Sequence, residues 1–168
     1  VLSPLLFIIY IADLFKTQNL PLTIRDCTQC FKYADDGSVS IIGNNLLECQ
    51  QNMQIVCDYI TEWRKKWRMV VNCNINKTEV IVLKSAGTTV IDRIIIPPVN
   101  IGGEELLYVK KSKVLGLIID EDLSFLPHAN KVLQSCWYTW FRLSENTTRK
   151  RGLNSATLTL LFKTVVLT

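Results

Sequence analysis

The chain has 168 residues, 48% of them hydrophobic and 20% charged, with seven glycines and five prolines. That mixture excludes a disordered tail, a collagen-like rod and a disulfide-stapled miniprotein. Net charge is +4, yet residues 1–122 carry 13 basic and 14 acidic groups while residues 123–168 carry six basic and one acidic; such a tail suits a polyanion, most commonly nucleic acid, although charge alone favours a merely solvated surface.

The sequence opens at Val1, inside an apolar run, and reads as a processed chain or as a piece of a longer one. Residues 1–12 are too short to span a bilayer and Pro4 interrupts them, so no membrane partner is expected. With no basic stretch ahead of them they do not read as a signal peptide. Residues 2–15 predict a helix packed on most of its faces and ending near Leu14, and Pro21 marks a loop. Residues 31–33 and 38–42 then alternate apolar and polar side chains around Ala34-Asp35-Asp36-Gly37. This predicts a β-hairpin in which Gly37 can take a positive φ.

Leu46, Cys49, Met53, Val56, Ile60, Trp63 and Trp67 recur at spacings of three and four, one apolar stripe along a helix of about six turns. Asn45 with Glu48 resembles a capping box at its start. The other face ends in Arg64, Lys65, Lys66 and Arg68, a run that is usually a solvated face and can also lie along a phosphate backbone. Strands are expected at 79–83, 90–96, 99–101, 106–109 and 114–119, with Gly102-Gly103 and a Lys-rich turn among the connections. A helix is expected from Pro127 to about Glu145, with Val132, Leu133, Cys136, Trp140 and Phe141 on its apolar side. A basic linker at 146–154 and a last helix from Ser155 follow. The order of elements is α+β, with a boundary near residue 122.

Cys27 and Cys30 make the single C-x-x-C among six cysteines, with no second pair and one distant histidine, His128. Zinc sites normally show two half-sites, so free thiols in a reducing compartment are the better reading. The Asn-x-Thr sequons at Asn76 and Asn146 are then expected to stay unused.

Asp35 and Asp36 are the leading candidates for chemistry. Adjacent carboxylates at a tight turn repel each other unless a cation lies between them. Mg²⁺ takes few protein carboxylates and leaves room for substrate phosphates. Asp-Asp-Gly is also good turn chemistry, and the local sequence alone favours that plainer account.

The wider context changes the balance. Phe31-Lys32-Tyr33-Ala34-Asp35-Asp36 has the aromatic-x-Asp-Asp pattern of reverse transcriptases. Val1-Leu2-Ser3-Pro4-Leu5-Leu6-Phe7, with Tyr10-Ile11 and Asp13-Leu14, resembles the segment after the Pro-Gln-Gly motif of those enzymes. Trp63, Val71-Asn72 and Asn76-Lys77-Thr78-Glu79 are similar to the block after the long palm helix. Lys113-Val114-Leu115-Gly116, Asp120, Leu123-Ser124-Phe125 and His128 are similar to the primer grip and the approach to the thumb. These blocks resemble the reverse transcriptases of non-LTR retrotransposons of the LINE and Jockey type, over residues 1 to about 145.

The resemblance implies a partial palm at 1–122, antiparallel strands with packed helices, and the start of a helical thumb or connection at 123–168. It implies two-metal nucleotidyl transfer onto a primer 3′-hydroxyl, with Asp35 the firmer metal ligand and Asp36 the second, and Mg²⁺ or alternatively Mn²⁺ as the cofactor. Tyr33 and Ala34 would support the primer end, Lys77 would approach the triphosphate unless it is an ordinary exposed lysine, and Leu115 with Gly116 would form the turn that steadies the primer. The implied partners are an RNA template, a DNA primer, deoxynucleoside triphosphates and the remainder of a retrotransposon polyprotein, in the nucleus or cytoplasm.

The family also uses a third carboxylate and a Pro-Gln-Gly turn upstream of this stretch, and the sequence holds neither, so the 168 residues alone are expected not to polymerise. At Val114 the family more often has an aromatic residue. Asp13 reads as a structural cap or buried hydrogen-bond acceptor, Asp120, Glu121 and Asp122 as a solvated turn, and His128 as a helix-start or hydrogen-bonding histidine. Core packing is expected for at least two of Trp137, Tyr138 and Trp140, and Arg149-Lys150-Arg151 needs no role. The rival reading is a non-catalytic retroelement remnant that binds RNA or serves as a structural or interaction module.

Overall fold

The computed structural model describes residues 2–74, 77–83, 97–145 and 154–165. The expected strand at 90–96, the basic linker through residue 153 and both sequon asparagines lie outside the described residues. Helices α1 (Leu2–Tyr10) and α2 (Leu22–Arg25) precede strands β1 (Thr28–Tyr33) and β2 (Asp36–Ile41) and the long helix α3 (Leu46–Trp67). Short strands follow: β3 (Glu79–Ile81), β4 (Asn100–Ile101), β5 (Glu104–Glu105), β6 (Leu107–Val109), β7 (Lys111–Val114) and β8 (Leu117–Asp120). Helices α4 (Leu126–Glu145) and α5 (Ser155–Val165) complete an α+β chain. Among the described residues the strands form four separate two-stranded sheets; β1–β2, β4–β5 and β7–β8 are antiparallel and β3–β6 is parallel.

Helix α3 organises the packing. It starts where Asn45 Oδ1 accepts from Glu48 N at 2.8 Å, while Glu48 Oε2 accepts from Asn44 N at 3.2 Å, a capping box whose return bond lands one residue early. It ends at Arg68, held at φ 53°. Its apolar stripe feeds two cores. Val56 and Ile60 meet Leu20 and Ile24, with Cys30, Val39 and Ile41 of the first hairpin around them. Cys57 joins Val99, Ile101 and Leu106, with Met53, Cys73 and Tyr108 alongside. Burial pushes the Cys57 thiol up to about 12, with Asp58 and Cys73 adding to the shift, so it behaves as a small apolar side chain. All six cysteines are free thiols.

Polar side chains of α3 also bind the backbone of β4 and of Gly102 just after it. Gln54 donates to the Asn100 carbonyl at 3.0 Å and accepts from Asn100 N at 2.8 Å, and Thr61 Oγ1 accepts from Gly102 N at 3.0 Å. The helix thereby satisfies backbone groups that a neighbouring strand would otherwise take.

Two helices differ from expectation. Helix α1 ends at Tyr10 rather than near Leu14, and Leu5, Leu6, Ile8 and Ile9 are exposed, not packed on most faces. The chain turns at 11–15 because Asp13 finds its partners on α3: Trp63 Nε1 donates to its carboxylate at 3.0 Å and Tyr59 OH to its carbonyl at 3.3 Å. At the end of α1, Tyr10 OH donates to the Trp67 carbonyl and the two rings stand edge to face at 5.2 Å. Helix α4 likewise exposes Val132, Leu133, Trp137, Tyr138, Trp140 and Phe141, so the expected burial of its aromatics is corrected. Its main packing partner is β8, reached at the first turn, where Ile118 N donates to His128 Nδ1 at 3.4 Å. The aromatics instead pair along the helix, Trp137 with Phe141 at 6.0 Å and Tyr138 with Arg142.

Asp120 is buried rather than solvated. Its carboxylate accepts from Ser124 Oγ at 2.8 Å, Phe125 N at 2.9 Å and Ser124 N at 3.1 Å, organising the turn into α4. Burial opposes its ionisation, but the bonds from Ser124 and Phe125 outweigh that and hold the carboxyl below its ordinary value. A carboxyl held low in the folded state adds stability above its unfolded value and loses it as pH falls through the folded one. Acidification below roughly pH 4 is therefore expected to loosen the start of α4, seen as shifts of the Ser124 and Phe125 amides in an NMR titration, and Asp120→Asn should remove that step.

Candidate active site

Hairpin β1–β2 carries the Asp-Asp pair. Its register is Thr28↔Ile41, Cys30↔Val39 and Lys32↔Gly37 on one face, and Gln29↔Ser40, Phe31↔Ser38 and Tyr33↔Asp36 on the other. The first set faces the core at its base, where Cys30, Val39 and Ile41 pack and Thr28 Oγ1 donates to the Ile24 carbonyl at 2.6 Å. The second set faces solvent: Phe31 is 57% and Tyr33 69% exposed. The connecting loop is Ala34-Asp35, with Ala34 at φ 52°.

Gly37 therefore does not supply the turn's positive φ; it lies within β2. Its small size has another use, because a Cβ there would fall 2.7 Å from Phe15 Cζ. The short loop leaves Asp35 at the tip and Asp36 as the first residue of β2, both exposed.

Two adjacent, exposed carboxylates fit a hard divalent cation such as Mg²⁺, which accepts one or two protein carboxylates and keeps other positions for water or phosphate. Among the described residues, no group of three or more His, Cys, Asp or Glu side chains is placed to hold a metal ion. The hairpin thus contributes two carboxylates and no complete cage.

The remaining candidates lie elsewhere in the fold. Leu115 and Gly116, at φ 49° and 92°, form the two-residue loop of β7–β8. This corrects the expected continuous strand at 114–119, and the Lys-rich segment enters β7 instead of making a turn. Ser112 Oγ ties that hairpin to β3 through Glu79 at 2.8 Å. Lys77 is exposed in the turn before β3, its N–H donating to the Asn74 carbonyl at 3.0 Å. Tyr33, Ala34, Asp35 and Asp36 are thus brought together by one hairpin, Leu115 and Gly116 by another that belongs to a different sheet, and Lys77 to neither.

Sequence reasoning missed the part played by Ser124. Its signal was present as Asp120 four residues before a serine that precedes Pro127, a helix-entry pattern in which Ser124 Oγ also accepts from Leu126 N at 3.3 Å. Asp13 and His128 do take the hydrogen-bonding roles expected of them.

Comparison with known proteins adds an independent observation. The chain is 28% identical over 136 residues to the RNA-directed DNA polymerase from mobile element jockey of Drosophila funebris, which covers 80% of this chain and 14% of that protein. It is 25% identical over 137 residues to the probable RNA-directed DNA polymerase from transposon BS of Drosophila melanogaster, covering 82% of this chain and 14% of that protein. The jockey polymerase of Drosophila melanogaster matches at 25% over 138 residues. The chain spans about 14% of the length of these curated relatives. No family model matches it, and no solved structure does. Over some four fifths of its length, the chain is similar in sequence to the RNA-directed DNA polymerases of jockey-like non-LTR retrotransposons.

Proposed function

We propose that the chain is part of a retrotransposon RNA-directed DNA polymerase, with residues 1–122 contributing to the palm and 123–168 to the start of the thumb or connection. The observation that carries this reading is the Tyr33-Ala34-Asp35-Asp36 hairpin, whose two carboxylates stand exposed at its tip, in a chain similar to named RNA-directed DNA polymerases. Asp35 and Asp36 hold the divalent cations, Mg²⁺ in the first instance. When bound, such ions neutralise charge on the phosphates and activate the primer hydroxyl. Tyr33, on the outer face beside Asp36, and Ala34 support the primer end. Leu115 and Gly116 support its backbone from the second hairpin, and Lys77 offers an exposed ammonium to the triphosphate. RNA template, DNA primer and deoxynucleoside triphosphates are the partners, with the rest of the polyprotein completing the site inside the cell.

One observation favours a second reading. With no third metal-binding group beside the pair among the described residues, the 168-residue chain alone suits a non-catalytic module. Primer extension on an RNA template with Mg²⁺ is accordingly expected to give no incorporation by the isolated chain. Incorporation that disappears in Asp35→Ala would establish a complete site and overturn that expectation.

A further inference from the structure

The turn at 11–15 meets the hairpin one strand pair below its tip. Lys32 Nζ donates to the Ile11 carbonyl at 2.9 Å. Ile11 is buried, and its own N–H closes a bond back to Phe7 at the end of α1, so that carbonyl lies at the helix end where an ammonium is favoured. Directly across the sheet from Lys32 is Gly37. The Phe15 ring fills the space over Gly37 where a Cβ would otherwise sit. Phe15 in turn packs against the core of Leu20, Ile24, Val56 and Ile60. Both members of the strand pair next to Tyr33↔Asp36 are thus engaged by the same five-residue turn, one by a charge-assisted hydrogen bond and the other by ring packing.

We propose that Lys32 and Gly37 are positioning residues that strap the Asp35-Asp36 tip to the 11–15 turn, so that the orientation of the two carboxylates follows the end of α1. The proposal rests on the reading of Asp35 and Asp36 as metal-holding groups. Lys32 acts through the backbone, its donor committed to the Ile11 carbonyl. A two-residue hairpin loop alone leaves the tip free to twist about the strand axis, and the strap removes that freedom from the core-facing side.

The test uses the whole 168-residue chain, isotopically labelled, with two readouts. Amide hydrogen exchange at Tyr33 and Asp36 reports the strap, and Mn²⁺-induced broadening of the same region, compared with Asp35→Asn, reports the metal site. Lys32→Met keeps the aliphatic stem and removes the donor; exchange at the tip should rise about tenfold while the centre of α3 is unchanged, and Asp35-dependent Mn²⁺ binding should weaken several-fold. Lys32→Arg, which keeps a cationic donor, should restore both. Gly37→Ala should reproduce the Lys32→Met result, and adding Phe15→Leu to it should relieve the clash and bring both readouts back. Tip exchange unchanged in Lys32→Met and Gly37→Ala overturns the strap. Faster exchange with Mn²⁺ binding intact overturns the positioning role. Faster exchange in a chain whose parent shows no Asp35-dependent broadening overturns the metal reading and supports the strap.

Discussion

Trp63→Ala is expected to destabilise the chain by about 3–5 kcal/mol, the range for truncating a large core aromatic. The indole is buried within α3, and its Nε1 is the donor that holds the Asp13 carboxylate. Truncation leaves a void between α3 and the 11–15 turn and strips a half-buried carboxylate of its partner, two costs that add. Trp63→Phe separates them, since it retains most of the ring and loses only the donor; roughly 1–3 kcal/mol is expected from the unmet acceptor. Denaturant unfolding reads both, with the midpoint shifted and the slope preserved. Single domains are stable by only about 5–15 kcal/mol, so the alanine variant should also populate unfolded chain measurably at room temperature. An alanine variant as stable as the parent would show that the 11–15 turn is held by something other than this indole.

At the hairpin tip, the largest expected effect is on metal binding. On the proposed reading, removing either carboxylate leaves a single acidic ligand, because no third group stands beside the pair among the described residues. Asp35→Ala and Asp36→Ala should each weaken Mn²⁺ binding at least tenfold, or about 1.4 kcal/mol. Asp35→Asn is the sharper variant. Asparagine keeps the turn chemistry of aspartate while discarding its charge, so it distinguishes a ligand from a turn residue. Mn²⁺ titration followed by electron paramagnetic resonance gives the affinity directly. Equal binding by the parent and Asp35→Asn would mean that the pair simply builds the turn.

Features governed by local periodicity were legible in the sequence. The stripe from Leu46 to Trp67 forms the helix expected, with Asn45 as its cap, and alternation around Ala34-Asp35 forms the hairpin. Features governed by tertiary neighbours were not. An amphipathic pattern records that α4 has an apolar face, but not whether the described chain supplies a surface to cover it, so Trp137 and Trp140 read as core and are exposed. Gly37 next to Asp36 invited a turn role; the Phe15 ring that demands a glycine there is 22 residues away in sequence. Asp120 read as solvated because nothing in its own charged neighbourhood announces the three donors that fold back from Ser124 and Phe125. Leu115-Gly116 sits inside an apolar run that periodicity alone makes one strand, and the family resemblance, not the pattern, pointed to the turn. Of the site residues, the hairpin cluster could be grouped from sequence; Lys77, Leu115 and Gly116 were joined to it only by analogy.

The side-chain bonds from α3 to β4 work like a vernier scale. Gln54 and Thr61 are seven residues apart, about 10.5 Å along a helix, whereas their partners Asn100 and Gly102 are two residues apart, about 7 Å along a strand. Two rulers with unequal graduations coincide at one setting, and here that setting directs Ile101 inward. A slip of β4 by one residue would turn Ile101 to solvent and break both coincidences together. A strand only two residues long, too short to fix its own alignment by sheet pairing, takes its alignment from the pitch of a helix.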